Sequence, residues 1–543
     1  MKQNKVQCLR KIADFCIATL GYFSFFLILY YVIFFAKGYY HSDCTDTILW
    51  AQASYDAKAL MNPEFAYAGL LPFGGQLLML PFVALFGVGM KAQIAGMVVF
   101  SVLFVWAVVF VCKSIGFDSK WISIMVLSVL FMVSVSEKMR EIFWGHIIYY
   151  SLGIFFLLVG FWLVLRCLKA GDAFFCNRTE QTWKFDQKLL GWFLMLLVWT
   201  IMASMNGMQL LTIYGIPVIG ALVAERFFDF QTTFTDKKNI SRYFVMAVLV
   251  AGILLGLIFG KLANGSIVAG YAEAYSSFSE TDEWVVNLLN FFPEFFTLLG
   301  VDTKTDMLIY SLAGIGNLLR IICGLILIIV PVIMVFLYRK FEDVSYRLFI
   351  LVHHIMTLLI LLGWVFGKLS SANWRLSPIV VTSTILCILF TKWILKDTNV
   401  KRMAVIVLLP ILCVVFLTTK EIFTMDKQSK ENAELTAMAE YLEKENLEYG
   451  YGTFWHANII TLLSDSKVKV RNIILDEDGY EKRLYQTNQN WYENVTEYDR
   501  YFVIFSDYEY ENYYLGNENY ERADEILEFG NYKILVYEHN IFG

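Results

Sequence analysis

The segment FCIATLGYFSFFLILYYVIFFAKGYYHSDCTD, residues 15–46, combines two features that organise the whole chain. Its first 22 residues, Phe15–Ala36, are uncharged and mostly apolar, and a helix of that length spans the roughly 30 Å hydrocarbon core of a bilayer. Asp43 and Asp46 follow within ten residues of this run. A membrane-spanning helix is therefore predicted to lead directly to carboxylates at the membrane surface.

Apolar runs of this kind recur as far as residue 420. Of the 543 residues, 58% are hydrophobic and 17% are charged, whereas soluble domains average about 45–50% apolar and about 25% charged residues. A transmembrane helix needs roughly 17–25 residues, so the shorter runs are extended by their flanks. The sequence predicts eleven spans, at Phe15–Ala36, Ala92–Cys112, Trp121–Ser136, Ile147–Leu165, Leu189–Met205, Met208–Ala224, Tyr243–Gly260, Ile321–Tyr338, Leu348–Gly367, Ser377–Thr391 and Met403–Thr419.

The charged residues divide the chain into two parts. From Met425 to Gly543 there are 11 Lys and Arg against 24 Asp and Glu, a net charge of −13; because the whole chain carries −5, the remainder carries +8. We therefore expect an all-α polytopic membrane domain at 1–424 and a small α/β domain at 425–543. The chain lacks the basic stripe of a nucleic-acid-binding protein, and its 17% aromatic content excludes a disordered chain.

Lys and Arg in the connecting loops predict the orientation, because basic residues favour the cytoplasmic side. One set of loops holds 22 basic residues in about 83 positions, and the other set holds 10 in about 136. This contrast predicts an N-terminus inside the cell and the second domain outside, in the cytoplasmic membrane. The first run follows Lys2, Lys5, Arg10 and Lys11 and lacks a small-x-small cleavage site, so we interpret it as a retained anchor.

Two outer loops are predicted to be large, at residues 37–91 and 261–320. The first contains Leu70–Gly89, which is long enough to cross the bilayer but includes two prolines and four glycines that break helices. If it crossed, every later basic loop would lie outside, so we interpret it as a juxtamembrane or re-entrant hairpin; a twelfth span is the alternative. In the second loop, DEWVVNLLNFFPEFFTLLG (282–300) has the spacing of an interfacial helix.

The second domain alternates helical and strand patterns, which is typical of a layered α/β unit. No Cys follows Cys413, so this domain has no disulfide. A tyrosine-rich stretch at 485–520 either stacks on sugar rings or packs in a core or at the membrane interface. The predicted helices are Lys430–Asn446 and one near Trp455–Leu463, and the predicted strands are Tyr449–Phe454, Lys467–Ile474, Tyr501–Phe505 and Tyr532–Tyr537.

Asp43 and Asp46 are the first candidates for chemistry. A carboxylate just outside the first span has the position of a general base for a hydroxyl that attacks a lipid-linked donor at the bilayer surface. Because the two are three residues apart, a helix would place them on one face, where they could hold a divalent cation. Alternatively, Asp43 caps the N-terminus of the helix that follows.

The second outer loop, EKMREIFWGH (137–146), adds further titratable groups. Glu137 and Glu141 are candidates to assist catalysis, and His146 and, in the first loop, His41 are neighbouring candidates. Taken alone, the loop is more typical of an ordinary solvated turn.

Three cations are candidates for a donor phosphate. Arg375, in SSANWRLSP (370–378), is predicted to lie at the outer membrane face, and its planar guanidinium suits a phosphate. The alternative is that it contacts lipid headgroups, as any interfacial Arg does. Lys261 and Lys368 are weaker candidates. The spans contain few charges, so a secondary transporter is disfavoured.

These features resemble the GT-C superfamily of polytopic membrane glycosyltransferases, which includes protein O-mannosyltransferases and aminoarabinose transferases. The resemblance covers the architecture of the whole chain. Its motifs are HSDCTD (41–46), PFGG (72–75), LFG (85–87) and NWRLSP (373–378). The stretch GYGTFWHANIITLLSDSKVKV (450–470) resembles the outer domain of a bacterial subgroup of unassigned substrate.

The resemblance implies transfer of a sugar from a polyprenyl-phosphate donor to a glycan, lipid or protein acceptor at the outer face. It implies Asp43 as the base with Asp46 as its rival, assistance from Glu137 or Glu141, and Arg375 on the donor phosphate. The acids of loop one are three apart rather than adjacent as in the O-mannosyltransferases, so a metal requirement stays open. A flippase for lipid-linked glycans or an envelope-assembly scaffold is the alternative function.

Overall fold

The structure, a computed structural model, describes residues 2–69, 71–176, 187–228, 236–263, 276–303, 306–396, 401–493 and 495–542. Within these ranges, a bundle of apolar helices is followed by a domain built on a six-stranded sheet. In the part of the chain that the structure describes, ten helices are long and apolar enough to cross a membrane, and two shorter ones form an eleventh, sharply bent apolar segment. The chain is a multi-pass membrane protein with a strand-containing C-terminal domain, as predicted.

The elements of the helical domain begin and end close to the apolar runs. They are α1 (Lys2–Phe34), α2 (Asp46–Ala57), β1 (Phe65–Ala66), α3 (Gln76–Phe86), α4 (Met90–Ser114), α5 (Ser119–Met132), α6 (Glu137–Trp144), α7 (Tyr149–Cys176), α8 (Gln187–Met205), α9 (Met208–Phe228), α10 (Lys237–Ala263), α11 (Glu283–Leu298), α12 (Leu312–Phe336), α13 (Val344–Val365), α14 (Ser377–Ile394) and α15 (Lys401–Thr424).

The third predicted span, Trp121–Ser136, is shorter than expected, because α5 ends at Met132 and α6 leaves it at 110°. Ser136 begins α6: its hydroxyl accepts a hydrogen bond from the Met139 N–H at 3.2 Å and donates one to the Leu298 carbonyl at 2.7 Å. A serine at this N-cap position satisfies a backbone donor that the helix itself leaves unpaired. The polar α6 therefore lies across the end of the bundle.

Contacts at both ends of α5 define its direction. Lys120, at its start, pairs with Asp14 of α1 at 2.9 Å. After its end, the Arg140 guanidinium of α6 lies over the Tyr31 ring of α1, 5.9 Å from the centroid. Helix α5 thus runs parallel to α1, and it brings α6 to the end of the bundle where loop 37–91 begins.

Segment 70–89 folds as a short helix on this same end of the bundle. Helix α3 has 11 residues, too few for the roughly 17–25 of a span. Before α3, Gly75 lies against Thr47; after it, the Val88 carbonyl accepts from the Ser466 hydroxyl at 2.7 Å. Both contacts are with loop one or the second domain, so the segment returns without crossing, as predicted.

Helix α11 has the character expected of an interfacial helix. Val285, Leu288 and Leu289 are exposed apolar residues on one side, while Phe291 and Phe295 are buried on the other. It packs on α13 and on the turn at Asn373–Leu376. The part of the predicted loop at 264–275 and 304–305 lies outside the described residues.

The second domain is a mixed sheet. Its elements are α16 (Lys430–Lys444), β2 (Tyr449–Gly452), α17 (Ala457–Leu463), β3 (Lys469–Asp476), β4 (Gly479–Lys482), β5 (Thr487–Asn488), β6 (Tyr501–Ser506), β7 (Glu525–Phe529) and β8 (Tyr532–Tyr537). The strand order is β4-β3-β2-β6-β8-β7; β3, β2 and β6 are parallel and the outer pairs antiparallel. The four predicted strands and two predicted helices are present. The hydrophobic pattern misses β4 and β7 because edge strands carry charged residues.

The two faces of the sheet have different cores. One face packs against the helices through aliphatic side chains and Phe502. The other face buries tyrosines, which accounts for the aromatic stretch at 485–520: Tyr492, Tyr501 and Tyr520 are all buried there. The tyrosine-rich sequence therefore forms a core, the second of the two alternatives.

The second domain packs directly on loop 37–91. The Ser429 N–H donates to the Gly38 carbonyl at 2.8 Å, the Ser42 hydroxyl donates to the Phe454 carbonyl at 2.6 Å, and β1 pairs with β5 in antiparallel register. These contacts place one loop of the sheet domain over the residues that follow α1.

Candidate functional site

Asp43 lies in a short 3₁₀ turn, Ser42–Thr45, between α1 and α2. The N-cap of α2 is Thr45, and Asp43 contributes its backbone carbonyl, not its carboxylate, to the Asp46 N–H. The capping role considered for Asp43 is therefore wrong. Its side chain is 41% exposed, and one carboxylate oxygen lies 4.0 Å from Nδ1 of His41.

Asp46 has the opposite surroundings. It is only 4% exposed, in the first turn of α2, and its Oδ1 has no hydrogen-bond partner. Burial raises the pKa of this carboxyl well above its usual range, and the nearby charge of Asp43 raises it further, whereas the Gln486 amide and His41 act in the opposite direction. The surroundings of Asp46 thus favour its protonated form more than those of an exposed carboxyl do.

Glu141 is the centre of the cluster. Its Oε1 lies 3.4 Å from Nε2 of His41 and 3.6 Å from Nε2 of His146, and its Oε2 lies 2.5 Å from Nζ of Lys138. Burial by itself would raise the pKa of Glu141, but the hydrogen bonds and charges of His146 and His41 outweigh it and hold the pKa well below its usual range. Glu141 is therefore a fixed anion that orients two imidazoles and one ammonium.

His41 connects this anion to Asp43. The Cys44 thiol and the Glu141 carboxylate raise the pKa of His41 well above its usual range, against the lowering effect of burial. The protonated ring has Glu141 on one nitrogen and Asp43 near the other. The structure therefore brings together His41, Asp43, Glu141 and His146, from two loops that are far apart in the sequence.

The other two charged residues of α6, Glu137 and Arg140, have different surroundings. Glu137, in its first turn, is exposed and lines a small cleft together with Tyr39, His41 and Glu141. Arg140 is buried, and its guanidinium pairs with Glu421 of α15 at 2.8 Å. Arg140 thus fixes α6 to the bundle, while Glu137 remains available at the mouth of the cleft.

The predicted phosphate-binding cations are not equivalent. Arg375 is buried; its Nη1 donates to the Lys368 carbonyl at 2.6 Å and to the Ser371 hydroxyl at 3.0 Å, so it holds its own turn together. Lys368 is exposed in that turn. Lys261 is exposed at the end of α10, a helix that packs mainly on α8 and α7.

The sequence analysis did not select Lys138, the cation that lies in the cluster itself. Besides its contact with Glu141, its ammonium lies over the Trp374 ring, 4.7 Å from the centroid. This places the turn that contains Arg375 next to the acids. In the sequence, the available signal was that Lys138 is a charged residue next to Glu137. An ordinary solvated Glu-Lys pair has the same pattern, so the sequence does not single out Lys138.

The donor set does not fit a metal ion. Within the residues that the structure describes, no group of three or more His, Cys, Asp or Glu side chains has the geometry to hold one. Asp43 and Asp46, the pair considered for a divalent cation, differ in exposure, and Asp46 is directed into the protein. We therefore derive no step through a metal.

The fold has counterparts among solved structures. The crystal structure of ArnT from Cupriavidus metallidurans bound to undecaprenyl phosphate superimposes over 94% of this chain and 97% of that chain, with a TM-score of 0.51 and 8% sequence identity. This chain has the GT-C fold. The resemblance inferred from HSDCTD, PFGG and NWRLSP is thus confirmed at the level of the fold.

Two further structures are similar at lower TM-scores. The apo state of ArnT from Cupriavidus metallidurans gives 0.42 at 9% identity, over 94% of this chain and 97% of that chain. The oligosaccharyltransferase of Archaeoglobus fulgidus, in the apo form, gives 0.44 at 9% identity, over 84% of this chain and 64% of that chain. No protein-family model and no curated protein matches the sequence. The GT-C fold is therefore recognisable here from three-dimensional structure.

Proposed function

We propose that this protein is a membrane glycosyltransferase that transfers a sugar from a polyprenyl-phosphate donor to an acceptor hydroxyl at the outer face of the cytoplasmic membrane. The observation that carries this proposal is the half-exposed Asp43 carboxylate, which lies 4.0 Å from the His41 ring of a His41–Glu141 pair directly after the first membrane helix. The fold shared with ArnT, which in that structure binds undecaprenyl phosphate, supports a lipid-linked donor.

Asp43, rather than Asp46, is the base in this proposal. In the reaction the acceptor oxygen bonds to the anomeric carbon, the bond from that carbon to the phosphate oxygen breaks, and polyprenyl phosphate leaves. The proton of the acceptor hydroxyl passes to the Asp43 carboxylate. Asp46 is only 4% exposed, so an acceptor hydroxyl reaches it less readily, and its burial favours the protonated form, which cannot take a proton.

Glu141 and the histidines are positioning residues. Because Glu141 contacts His41, His146 and Lys138, its role is to fix these three side chains, and His41 lies 4.0 Å from the Asp43 carboxylate. His146 supports Glu141 from the other side. Glu137 is free of those pairs and lies at the cleft, where it is suited to contact the acceptor or the transferred sugar.

Lys138 is the better candidate for the donor phosphate, because its ammonium already lies between Glu141 and Trp374 at the turn that leads into α14. Arg375 supports this site indirectly by holding the turn. Lys368, exposed in the same turn, is a second phosphate contact, and Lys261 is a peripheral one.

The orientation in the proposal follows from the loop charges. The basic loops lie at the end of the bundle opposite to α6 and the sheet domain, and the positive-inside rule assigns that end to the cytoplasm. The acids and the sheet domain then face the outside, where polyprenyl-linked sugars serve envelope synthesis.

The test is Asp43→Asn, with transfer of label from a polyprenyl-phosphate sugar pool measured in membranes at matched protein level. We expect activity to fall by about 10²–10⁴-fold, because Asn keeps the shape but cannot take the proton. Asp56→Asn, an exposed acid of the adjacent helix α2, is the control and should be silent. Near-normal transfer by Asp43→Asn would exclude Asp43 as the base, and near-normal transfer by Asp46→Asn as well would exclude this mechanism; absence of transfer by the wild type would favour a non-enzymatic role.

A further inference from the structure

Trp455 is a large aromatic side chain that remains exposed beside the candidate site. It is 54% exposed, and its ring centroid lies 6.4 Å from that of His41. It belongs to the loop between β2 and α17 of the second domain. Exposing this much indole to water is unfavourable, so a ligand that covers it gains free energy.

The loop that carries Trp455 is held in place on both sides. The carbonyl of the preceding residue, Phe454, accepts the hydrogen bond from the Ser42 hydroxyl at 2.6 Å, next to Asp43 in the sequence. The Phe454 ring packs edge-on against Trp455 at 5.1 Å, with the Arg483 guanidinium over it at 5.0 Å. The indole is thus presented next to the base by a rigid support.

We propose that Trp455 is a platform for a saccharide ring of the acceptor, an inference that rests on the transferase function proposed above. The flat C–H face of a sugar ring is attracted to the electron-rich face of an indole, while its hydroxyl groups remain at the rim. His41 is close to both residues. Its ring centroid lies 6.4 Å from that of Trp455, and its Nδ1 lies 4.0 Å from a carboxylate oxygen of Asp43. A ring stacked on Trp455 therefore presents a hydroxyl toward the Asp43 carboxylate.

The assignment to the acceptor, rather than the donor, follows from which element carries each tryptophan. Trp374 belongs to the turn that leads into membrane helix α14 and contacts the cation Lys138, so it borders the side from which a lipid phosphate arrives. Trp455 belongs to the sheet domain, outside the apolar bundle. The two tryptophans thus border the acid cluster from its lipid side and from its aqueous side.

The experiment uses the full-length protein in lipid nanodiscs, labelled polyprenyl-phosphate sugar as donor, and envelope material freed of that lipid as acceptor. Trp455→Ala should raise the KM for the acceptor material about tenfold and leave the donor KM unchanged, since one lost aromatic contact costs roughly one order of magnitude in affinity. Trp455→Phe should restore most of the loss and Trp455→Leu little, because only the ring supplies a π face. Tyr508→Ala, which removes an aromatic residue of the same domain that is 68% exposed, is the matched control.

The outcomes separate the two proposals. A wild-type acceptor KM in Trp455→Ala, equal rescue by Leu and Phe, or a parallel rise in donor KM would each overturn the platform. Label recovered on peptides after proteinase K digestion would overturn the saccharide class, whereas label that stays on protease-resistant saccharide supports it. If the wild type transfers no label from the donor, the transferase function itself fails; if transfer occurs but does not depend on Asp43, only the assignment of the base fails.

Discussion

At the scale of single residues, Asp43 and Asp46 are three positions apart yet experience opposite surroundings. The Asp43 side chain is 41% exposed and has the His41 ring 4.0 Å away, whereas Asp46 is buried with one oxygen unpaired. A carboxyl in the second environment favours its protonated form. This difference, rather than distance from the span, distinguishes the proposed base from its neighbour.

Asp46→Asn is therefore expected to retain most activity, because Asn resembles the protonated acid. The folded-state pKa of Asp46 is raised above its unfolded value of 3.8, so the group destabilises the fold increasingly as pH rises above that value. We expect the thermal midpoint of Asp46→Asn, relative to that of the wild type, to increase between pH 4 and pH 8. If this difference in thermal midpoint decreased from pH 4 to pH 8, Asp46 would be charged in the folded protein.

Lys138 and Arg375 provide a second contrast at this scale. Lys138→Ala should raise the donor KM by about 10–100-fold, as expected for a charge-assisted phosphate contact worth roughly 1.5–3 kcal/mol, and Lys138→Arg should recover part of it. Arg375→Ala should instead lower the thermal midpoint, because the Lys368 carbonyl and Ser371 hydroxyl lose their donor. Donor titrations and melting curves on both variants test this. If Arg375→Ala raised the donor KM as much as Lys138→Ala does, without loss of stability, Arg375 would be the residue that contacts the donor phosphate.

At the scale of elements, α3 and α6 are short helices that lie at the end of the bundle instead of continuing through it. Pro, Gly and charged residues at 70–89 and 137–141 interrupt the apolar runs, and the Ser136 cap makes the break at α6 a defined 110° bend. The result is a surface on which α6 carries its acids toward loop 37–91.

This arrangement predicts the sidedness of reporter fusions. Fusions after Gly89 and after Thr424 should give outside signals, and a fusion after Gly116, which follows α4, should give an inside signal. The reason is that the residues on both sides of α3 contact outer elements, Gly75 with Thr47 before it and Val88 with Ser466 after it, while α4 leads to the opposite end. An inside signal after Gly89 would restore the twelfth span.

At the scale of the whole molecule, the two domains are joined by a buried contact around Gln486. This residue is fully buried, with a positive φ of 55°. Its backbone N–H donates to the Ala66 carbonyl at 2.7 Å, and its Oε1 accepts from the Trp50 indole at 2.6 Å and from the Ala68 N–H at 3.3 Å. The sheet domain thus contributes to the surroundings of Asp46 and to the shape of loop one.

Gln486→Ala should lower the thermal midpoint of the full-length protein, because it leaves buried donors unpaired at about 1–3 kcal/mol each. It should also reduce transfer, since loop one then loses a support next to the acids. Asn512→Ala, an exposed amide of the same domain, is the control. Unchanged melting of Gln486→Ala in a differential scanning experiment would show that the domains fold independently of this contact.

Local patterns in the sequence were sufficient to predict the helical spans, the non-crossing segment, the central strands and the position of Asp43 after the first helix. Hydrophobic periodicity and loop charge are properties of neighbouring residues, so they can be counted along the chain. This counting did not predict the charged edge strands β4 and β7 or the bend after Met132. At these places the local sequence pattern does not match the environment in the folded protein.

Only the tertiary structure distinguished Asp43 from Asp46, placed Lys138 rather than Arg375 in the cluster, and placed Trp455 beside His41. The surroundings of a polar group are made by partners that are remote in the chain: Trp50 and Gln486, which meet beside Asp46, are 436 positions apart. Desolvation and charge pairing act through space. The surroundings that shift the pKa of Asp46 are therefore completed when the sheet domain packs on loop one.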